Sequence, residues 1–434
     1  MLSYFLPCEQ IRNHSALTGR LSSVPDVGRS VKTQQSSGFL KKKLRDSSKN
    51  QEINFDGGIP SVVCLSHRED VDGLSSAALV KSAFKDCYVI LLDYSNLIRA
   101  LNRVSYLISI TSTSGSTSST VTESKRGGAA SGEEISEMSF YTQDDATDGR
   151  VGTIPRRTRK TKKLVICDLG LNKKNESTFV KVLGEIVSSG WKVEYIDHHD
   201  LSKDIEDDLE KIGVTLIHST DECTSIQVYQ RYKKKLDSFC SFYAAAAALT
   251  DYLEQRPIAS ILMSRFDRHF LMLESTVLSY MISSNQHDDR FLLKIVDFIS
   301  QNKFPHEIEG GFMMAEKYAI KVSEAVKSLE GSISRKKKLA YVRSDLDLTA
   351  SVIVNFVLGV SGRSVALVYK LRDEIDSFVI SIRGSRECGA HLGRIVNEIS
   401  ARYGRSGGGH EKACGAVIPK DYLDEFISEL DRRI

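Results

Sequence analysis

Four short runs of aliphatic and β-branched residues, SVVCLSH, CYVILLDY, KLVICDLG and WKVEYIDHH, punctuate the first half of the chain, and each ends in polar or charged residues. SSAALVKSAF and STFVKVLGEIVSSG, between them, carry helical spacing. Strands alternating with helices predict a parallel sheet covered on both faces, in which ligands collect at the carboxyl ends of the strands. From about Pro257 to Lys338 the pattern turns helical, in ASILMSRF, HFLMLESTVLSYMI, RFLLKIVDFI and AEKYAIKVSEAVKSLE. The last hundred or so residues return to mixed character. KLAYVRS, SVALVYKL and SFVISIRG read as strands and TASVIVNFVLG and HLGRIVNEISARYG as helices, before the Gly-rich SGGGHEKACGAVIP.

Two stretches break the pattern. Residues 1–57 mix Ser, Gln, Lys and Asp without period and read as a disordered arm, with KKKLR as a solvated charge cluster. Residues 105–162 open with SYLISITSTSGSTSSTVTES and close with IPRRTRKTKK, and read as a disordered surface insertion. The fold class is therefore α/β: a parallel-sheet domain over 58–270 that carries the insertion, a helical connector over 271–337, and a smaller α/β domain over 338–434.

A length of 434 residues and an apolar content of 41% suit two packed domains. Lys plus Arg (59) nearly balances Asp plus Glu (56), so the formal charge of +3 creates no strong field and any nucleic-acid site must be local. The eight cysteines show no zinc-type spacing and suit a reducing cytosol. MLSYFLPCEQIRNH is too short and lacks the basic lead of a secretory core, and no run approaches the roughly 20 apolar residues of a membrane span, so a soluble cytoplasmic protein with no membrane partner is expected.

Candidate chemistry lies at the strand ends. Asp70 and Asp72 follow the first strand in SHREDVDGLSSAAL, Asp168 closes the third in VICDLG, Asp197, His198 and His199 close the fourth, and Asp251 follows the alanines of AAAAALTDYLEQRP. Each alone reads as well as a helix cap or turn residue. In a parallel sheet, however, they converge on one rim, where several carboxylates repel and raise one another's pKa unless cations neutralise them. Carboxylate and imidazole without thiolate suit manganese or magnesium. Two such ions about 3.5–4 Å apart serve phosphate ester cleavage.

These motifs resemble the DHH phosphoesterase family, whose eponymous triplet stands here as Asp197, His198 and His199. The order of an Asp-x-Asp loop, a strand-closing Asp, the triplet and a later Asp is the same, and SGGGH resembles the glycine-histidine motif of the DHH-associated C-terminal domain of RecJ-like exonucleases and small oligoribonucleases. The resemblance covers about residues 60 to 434 apart from the insertion. It implies that Asp70 and Asp168 hold one Mn²⁺, that Asp72, Asp168, His198 and Asp251 hold a second, and that Mg²⁺ is the alternative ion. It further implies that Asp197 orients a histidine and that His199 faces the scissile phosphate. His67 stands three residues before Asp70, whereas many relatives place a histidine ligand four before, so its ligand role stays open.

In the second domain Gly407, Gly408 and Gly409 read as a phosphate nest, with His410 adding a hydrogen bond; a flexible turn is the alternative. Arg383, closing SFVISIRG, is a candidate grip on a phosphate or terminal nucleotide. Cys223 to Ser225 read as a capped helix start. The expected activity is manganese-dependent phosphodiester hydrolysis of single-stranded nucleic acid ends or short oligonucleotides. The rival is a catalytically degenerate nucleic-acid-binding or replication-associated partner on the same fold. Cleavage polarity, RNA, DNA or cyclic-dinucleotide preference and oligomeric state, a homodimer included, stay open.

Overall fold

The computed structural model describes residues 60–113 and 162–434. The expected arm and most of the expected insertion lie outside the described residues.

The first sheet is all parallel. Its strands are β1 (Val62–His67), β2 (Cys87–Leu92), β3 (Lys163–Cys167), β4 (Lys192–Asp197) and β5 (Thr215–His218), in the order β2-β1-β3-β4-β5. The chain runs outward from β1 to the edge strand β2 and then crosses back to β3. The direction of winding therefore reverses between β1 and β3, which is where an open α/β sheet leaves a crevice at its carboxyl edge.

One face of the sheet carries α1 (Val71–Ala83), α5 (Thr224–Tyr232) and α6 (Cys240–Thr250), and the other carries α2 (Leu97–Thr113), α3 (Glu176–Ser188) and α4 (Lys203–Lys211). Helix α1 is buried on every side from Val71 to Val80, because its small residues Ser75, Ser76, Ala77 and Ala78 admit neighbours closely. A helix surrounded in this way has no solvent face, so the Asp72 charge in its first turn must be met by protein groups or by a ligand. The alanines of α6 do the same for its packing, with Cys240 to Ala248 all buried.

The next helices are α7 (Pro257–Met263), α8 (Arg268–Ser284), α9 (Asp289–Ser300) and α10 (Gly311–Leu329). Leu271, Leu278 and Met281 of α8 and Leu292, Ile295 and Val296 of α9 share one core with α1 and α6. The boundary expected at 270/271 therefore cuts through a single packed unit. Only α10 acts as the connector: Ala315 belongs to that core, and Leu329, at its far end, packs with the second lobe.

The second sheet is mixed. It is built from β6 (Ser334–Arg335), β7 (Leu339–Arg343), β8 (Val365–Arg372), β9 (Ser377–Gly384), β10 (Gly407–Gly409) and β11 (Ala413–Pro419), in the order β10-β11-β9-β8-β7-β6, with only β7 and β8 parallel. Helices α11 (Ala350–Ser361), α12 (Leu392–Arg402) and α13 (Leu423–Arg433) complete it. The two-lobed α/β class read from the sequence is thus the observed one.

The start of the expected insertion is corrected as well. The stretch expected to be disordered from Ser105 is helical through Thr113, because Leu97, Ala100, Leu101, Val104, Leu107 and Ile108 form a buried stripe against the sheet. The cysteines among the described residues are free. No helix among the described residues is long and apolar enough to cross a membrane.

Candidate metal centre

Four segments deliver acids and imidazoles to the carboxyl edge of the first sheet. His67 is the last residue of β1, and three residues on Asp70 caps α1, its Oδ1 accepting the Gly73 N–H at 2.9 Å. The second Asp70 oxygen lies 2.8 Å from His67 Nδ1. In the first turn of α1, the fully buried Asp72 carboxylate accepts the N–H groups of Thr224 (2.8 Å) and Ser225 (2.7 Å), the unpaired donors at the start of α5. The Ser225 hydroxyl donates back to the Asp72 carbonyl at 2.8 Å.

Asp168 follows β3 with φ 57°, the left-handed region that side chains other than glycine seldom enter. Strain of this kind persists where the surroundings over-determine it, often at functional sites. Its N–H bonds to the Ile196 carbonyl of β4, and its carboxylate stands between two groups of donors. Oδ1 accepts from Thr224 Oγ1 at 3.1 Å and lies 3.4 Å from His198 Nε2, while Oδ2 lies 3.7 Å from His67 Nδ1. His198 Nε2 is also 3.8 Å from Asp72 Oδ2 and 3.8 Å from Asp251 Oδ2, where Asp251 ends α6.

Four triads result among the described residues: His67 with Asp70 and Asp168, Asp72 with His198 and Asp251, Asp168 with Asp197 and His199, and His198 with His199 and His410; the first two gather the carboxylates expected to hold cations. Within each, one ligand atom per residue lies within 4.8 Å of the others. Several of these separations are too long for hydrogen bonds but suit ligands placed about 2.1 Å from a common cation. His67 presents Nδ1 to both Asp70 and Asp168, so Nδ1 is the nitrogen placed to join them as a ligand. The donors are oxygen and imidazole throughout, so the residues fit hard divalent cations.

Two family models match the chain: the DHH family, N-terminal domain, over residues 61–249, and the DHHA1 domain over 338–434. The chain belongs to the DHH family, with a DHHA1 domain at its C-terminal end. Among solved structures it is similar to the DHH domain of a member of the s1p family of ribosomal proteins (TM-score 0.55, 11% identity, 86% of this chain and 85% of that one). It is also similar to the pGpG-specific phosphodiesterase PggH from Vibrio cholerae (0.46, 11%, 86% and 99%) and to CDC45 from Entamoeba histolytica (0.48, 10%, 91% and 97%). At such identities the likeness concerns the fold alone. No curated protein sequence matches the chain.

Within the DHH triplet the three residues face different ways. His198 turns to the acids, whereas His199 turns to Asp197, its Nδ1 3.0 Å from Asp197 Oδ1 and its N–H bonded to Oδ2 at 3.3 Å. The histidine that Asp197 orients is therefore His199, and the buried Tyr195 hydroxyl shares its proton between the same Asp197 Oδ2 (3.1 Å) and the Leu169 carbonyl (3.0 Å). Gly170 lies against that ring: a Cβ there would stand 2.8 Å from His199 Cγ.

The electrostatics of the DHH site are those of a crowded acidic pocket. Burial, and then repulsion from Asp168, pushes the Asp72 carboxyl up to about 6. Burial, and then Asp72, raises Asp251. Burial would raise Asp168 too, but the facing imidazoles of His198 and His67 hold it well below the usual carboxylate range. Burial would lower His67 and His198; attraction from Asp70 and Asp168 for the first, and from Asp168 and Asp251 for the second, raises both instead. The protein thus gathers more negative charge than its own cations comfortably serve.

The DHHA1 lobe reaches this pocket. The His410 ring centre is 5.3 Å from those of both His198 and His199, and burial followed by repulsion from these rings lowers its pKa to about 4. The Arg383 guanidinium lies 6.0 Å from the Tyr252 ring, its Nε buried and without a hydrogen-bond partner. The Tyr252 hydroxyl accepts from the Asn355 amide of α11 at 2.8 Å.

The three glycines do not form the turn-like nest expected of them. They run as the extended edge strand β10, paired antiparallel to β11. Gly408 and Gly409 hold φ of 147° and 134°, and the Gly409 carbonyl passes so close to the start of α12 that a Cβ on Gly393 would be 1.9 Å from it. Their smallness lets the strand lie against the helix and presents His410.

The helix expected at Cys223 to Ser225 does begin there, but its donors are met by Asp72 rather than by a local side-chain cap. Sequence reasoning also missed Tyr94, Tyr195, Gly170 and the Thr224 hydroxyl. Tyr94 alone left a signal, since it stands just past strand β2 at the same edge of the sheet.

Proposed function

We propose that this DHH protein hydrolyses phosphodiester bonds in single-stranded nucleic acid ends or short oligonucleotides, using two divalent cations, with Mn²⁺ the preferred ion and Mg²⁺ the alternative. The observation that carries the reading is the stance of Asp168 between the first two triads, with one oxygen toward His67 and the other toward His198. A single carboxylate shared between two ligand sets is what a dinuclear centre requires.

In this reading His67, Asp70 and Asp168 hold one cation, and Asp72, Asp168, His198 and Asp251 hold the other. Cations so placed supply charge neutralisation at the phosphoryl oxygens and lower the pKa of a water. Asp197 fixes the His199 ring by accepting its Nδ1–H, and in the doubly protonated ring the Nε2–H is directed at the substrate as hydrogen-bond donor or as acid to the leaving oxygen. From the second lobe His410 hydrogen-bonds the same phosphate, and Arg383, whose Nε has no partner within the protein, takes a terminal phosphate with its planar donors. The cleft between the lobes selects a strand end or short chain over duplex.

The test is product analysis with 5′- and 3′-labelled oligonucleotides of several lengths and a cyclic dinucleotide, in Mn²⁺. Stepwise shortening that disappears in Asp168→Ala supports the reading. A folded wild-type protein that leaves all of these substrates intact refutes it and favours a binding partner on a degenerate fold.

A further inference from the structure

The ring nitrogens of His199 are both engaged, and only one of the two partners belongs to the DHH triplet. On the Nδ1 side stands Asp197 at 3.0 Å. On the other, Nε2 lies 3.2 Å from the hydroxyl of Tyr94, the first residue of the short 3₁₀ turn after β2. The Tyr94 ring stacks on His67 with centres 4.3 Å apart and planes 25° apart, and meets the His199 ring edge-on at 5.5 Å and 79°. Its hydroxyl is also 3.5 Å from His67 Nδ1.

Because the Asp197 carboxylate can only accept, it fixes the proton of neutral His199 on Nδ1 and leaves a lone pair on Nε2, to which the Tyr94 O–H donates. The contacts thus run as one chain, from the Tyr195 hydroxyl through Asp197 and His199 to the Tyr94 hydroxyl. A phosphoryl oxygen that approaches His199 Nε2 arrives at the Tyr94 hydroxyl as well.

We infer that Tyr94 is a positioning residue for this reaction. It clamps the His199 ring from the substrate side while its Nε2 carries a lone pair, and turns its hydroxyl to the incoming phosphodiester so that the Nε2–H of the doubly protonated ring meets the leaving oxygen at a set angle. The inference rests on the phosphodiesterase reading. A purely structural Tyr94 would serve through its ring, by stacking on His67, so Phe in its place separates the two roles.

The test uses the full chain with Tyr94→Phe, His199→Ala and the double variant, assayed on a labelled dinucleotide, together with ¹⁵N-imidazole spectra of the metal-depleted protein. Tyr94→Phe should lower kcat about tenfold to hundredfold, with KM and Mn²⁺ affinity changed less than about twofold, since misplacing a reacting group by about 1 Å costs on the order of 10²-fold. In the His199→Ala background the same change should have no further effect, because residues that act as a unit are not additive. The His199 Nε2 resonance should move in Tyr94→Phe, and that of His198 should not. Wild-type kcat in Tyr94→Phe, equal losses in both backgrounds, or an unmoved His199 resonance in an active protein overturns the role of Tyr94 alone. Lack of wild-type turnover overturns the phosphodiesterase reading and the positioning role with it, even if the resonance moves.

Discussion

Replacing Gly170 by alanine should slow the reaction without unfolding the protein. The added Cβ would lie 2.8 Å from His199 Cγ, 3.0 Å from its Cβ and 3.1 Å from its Cδ2, against an ordinary contact of at least 3.4 Å. The imidazole must therefore retreat by about 0.6 Å, carrying Nε2 off its line. At the sensitivity expected of reacting groups, that displacement costs about tenfold to hundredfold in kcat, or about 1.4–2.7 kcal/mol of transition-state stabilisation. Stability should suffer far less. Gly170 is not among the residues of positive φ, and the His199 side chain, 24% exposed, can yield toward the cleft. A cost of about 1 kcal/mol, or a few degrees in Tm, is expected. The assay measures kcat and KM on a labelled dinucleotide in Mn²⁺ alongside a calorimetric Tm. Unchanged kcat would refute the placement of His199 in the reaction, and a fall in Tm of more than about 10 °C would show that Gly170 serves the fold instead.

Thr224→Val keeps the shape of the residue and its N–H bond to Asp72 but removes the hydroxyl that donates to Asp168 Oδ1 at 3.1 Å. Urea titration should find the metal-depleted protein destabilised by about 1.5–3 kcal/mol, the worth of a hydrogen bond to a charged group, and a change under about 0.5 kcal/mol would contradict the bond. The buried Glu194 carboxyl would be raised by burial, but hydrogen bonds from Arg231, Lys163 and Tyr232 outweigh this and hold it at about 2, below the ordinary 4.5. A depressed acid contributes stability that is fully present above about pH 4.5 and is lost as pH falls toward 2, at most about 3 kcal/mol, and less because Arg231 is partly exposed. Glu194→Gln should flatten that part of a stability-against-pH curve, and an unchanged slope between pH 4.5 and 2 would sink the assignment.

The strands that carry the site were legible because they are continuous apolar runs closed by acids or histidines. The ligand set followed because parallel strands share a carboxyl edge. Strand β5 and helices α4 and α5 left weaker traces: TLIH is short and half-buried, and KDIEDDLEK buries only Ile205 and Leu209. At residues 105–113 the helical stripe was present, in Leu107 and Ile108, but Ser and Thr around it masked the period. The nest expected of Gly407 to Gly409 failed for a different reason. Glycine permits both an anion-binding turn and a strand pressed against a helix, and only the position of Gly393 decides between them. Gly170 and Thr224 act on residues 29 and 56 positions away, through contacts that no local pattern encodes, whereas Tyr94, 105 positions from His199, was marked only by its place just past β2.

The most direct measurement is calorimetric titration of Mn²⁺ into the metal-depleted protein, with Asp168→Asn as the comparison. The shared position of Asp168 predicts about two ions per wild-type chain and a Tm that rises with Mn²⁺ concentration as binding to the folded state alone requires. It predicts that Asp168→Asn, though folded, loses both. A wild-type chain that takes up no Mn²⁺, or an Asp168→Asn chain that binds it with wild-type stoichiometry and affinity, would contradict the account.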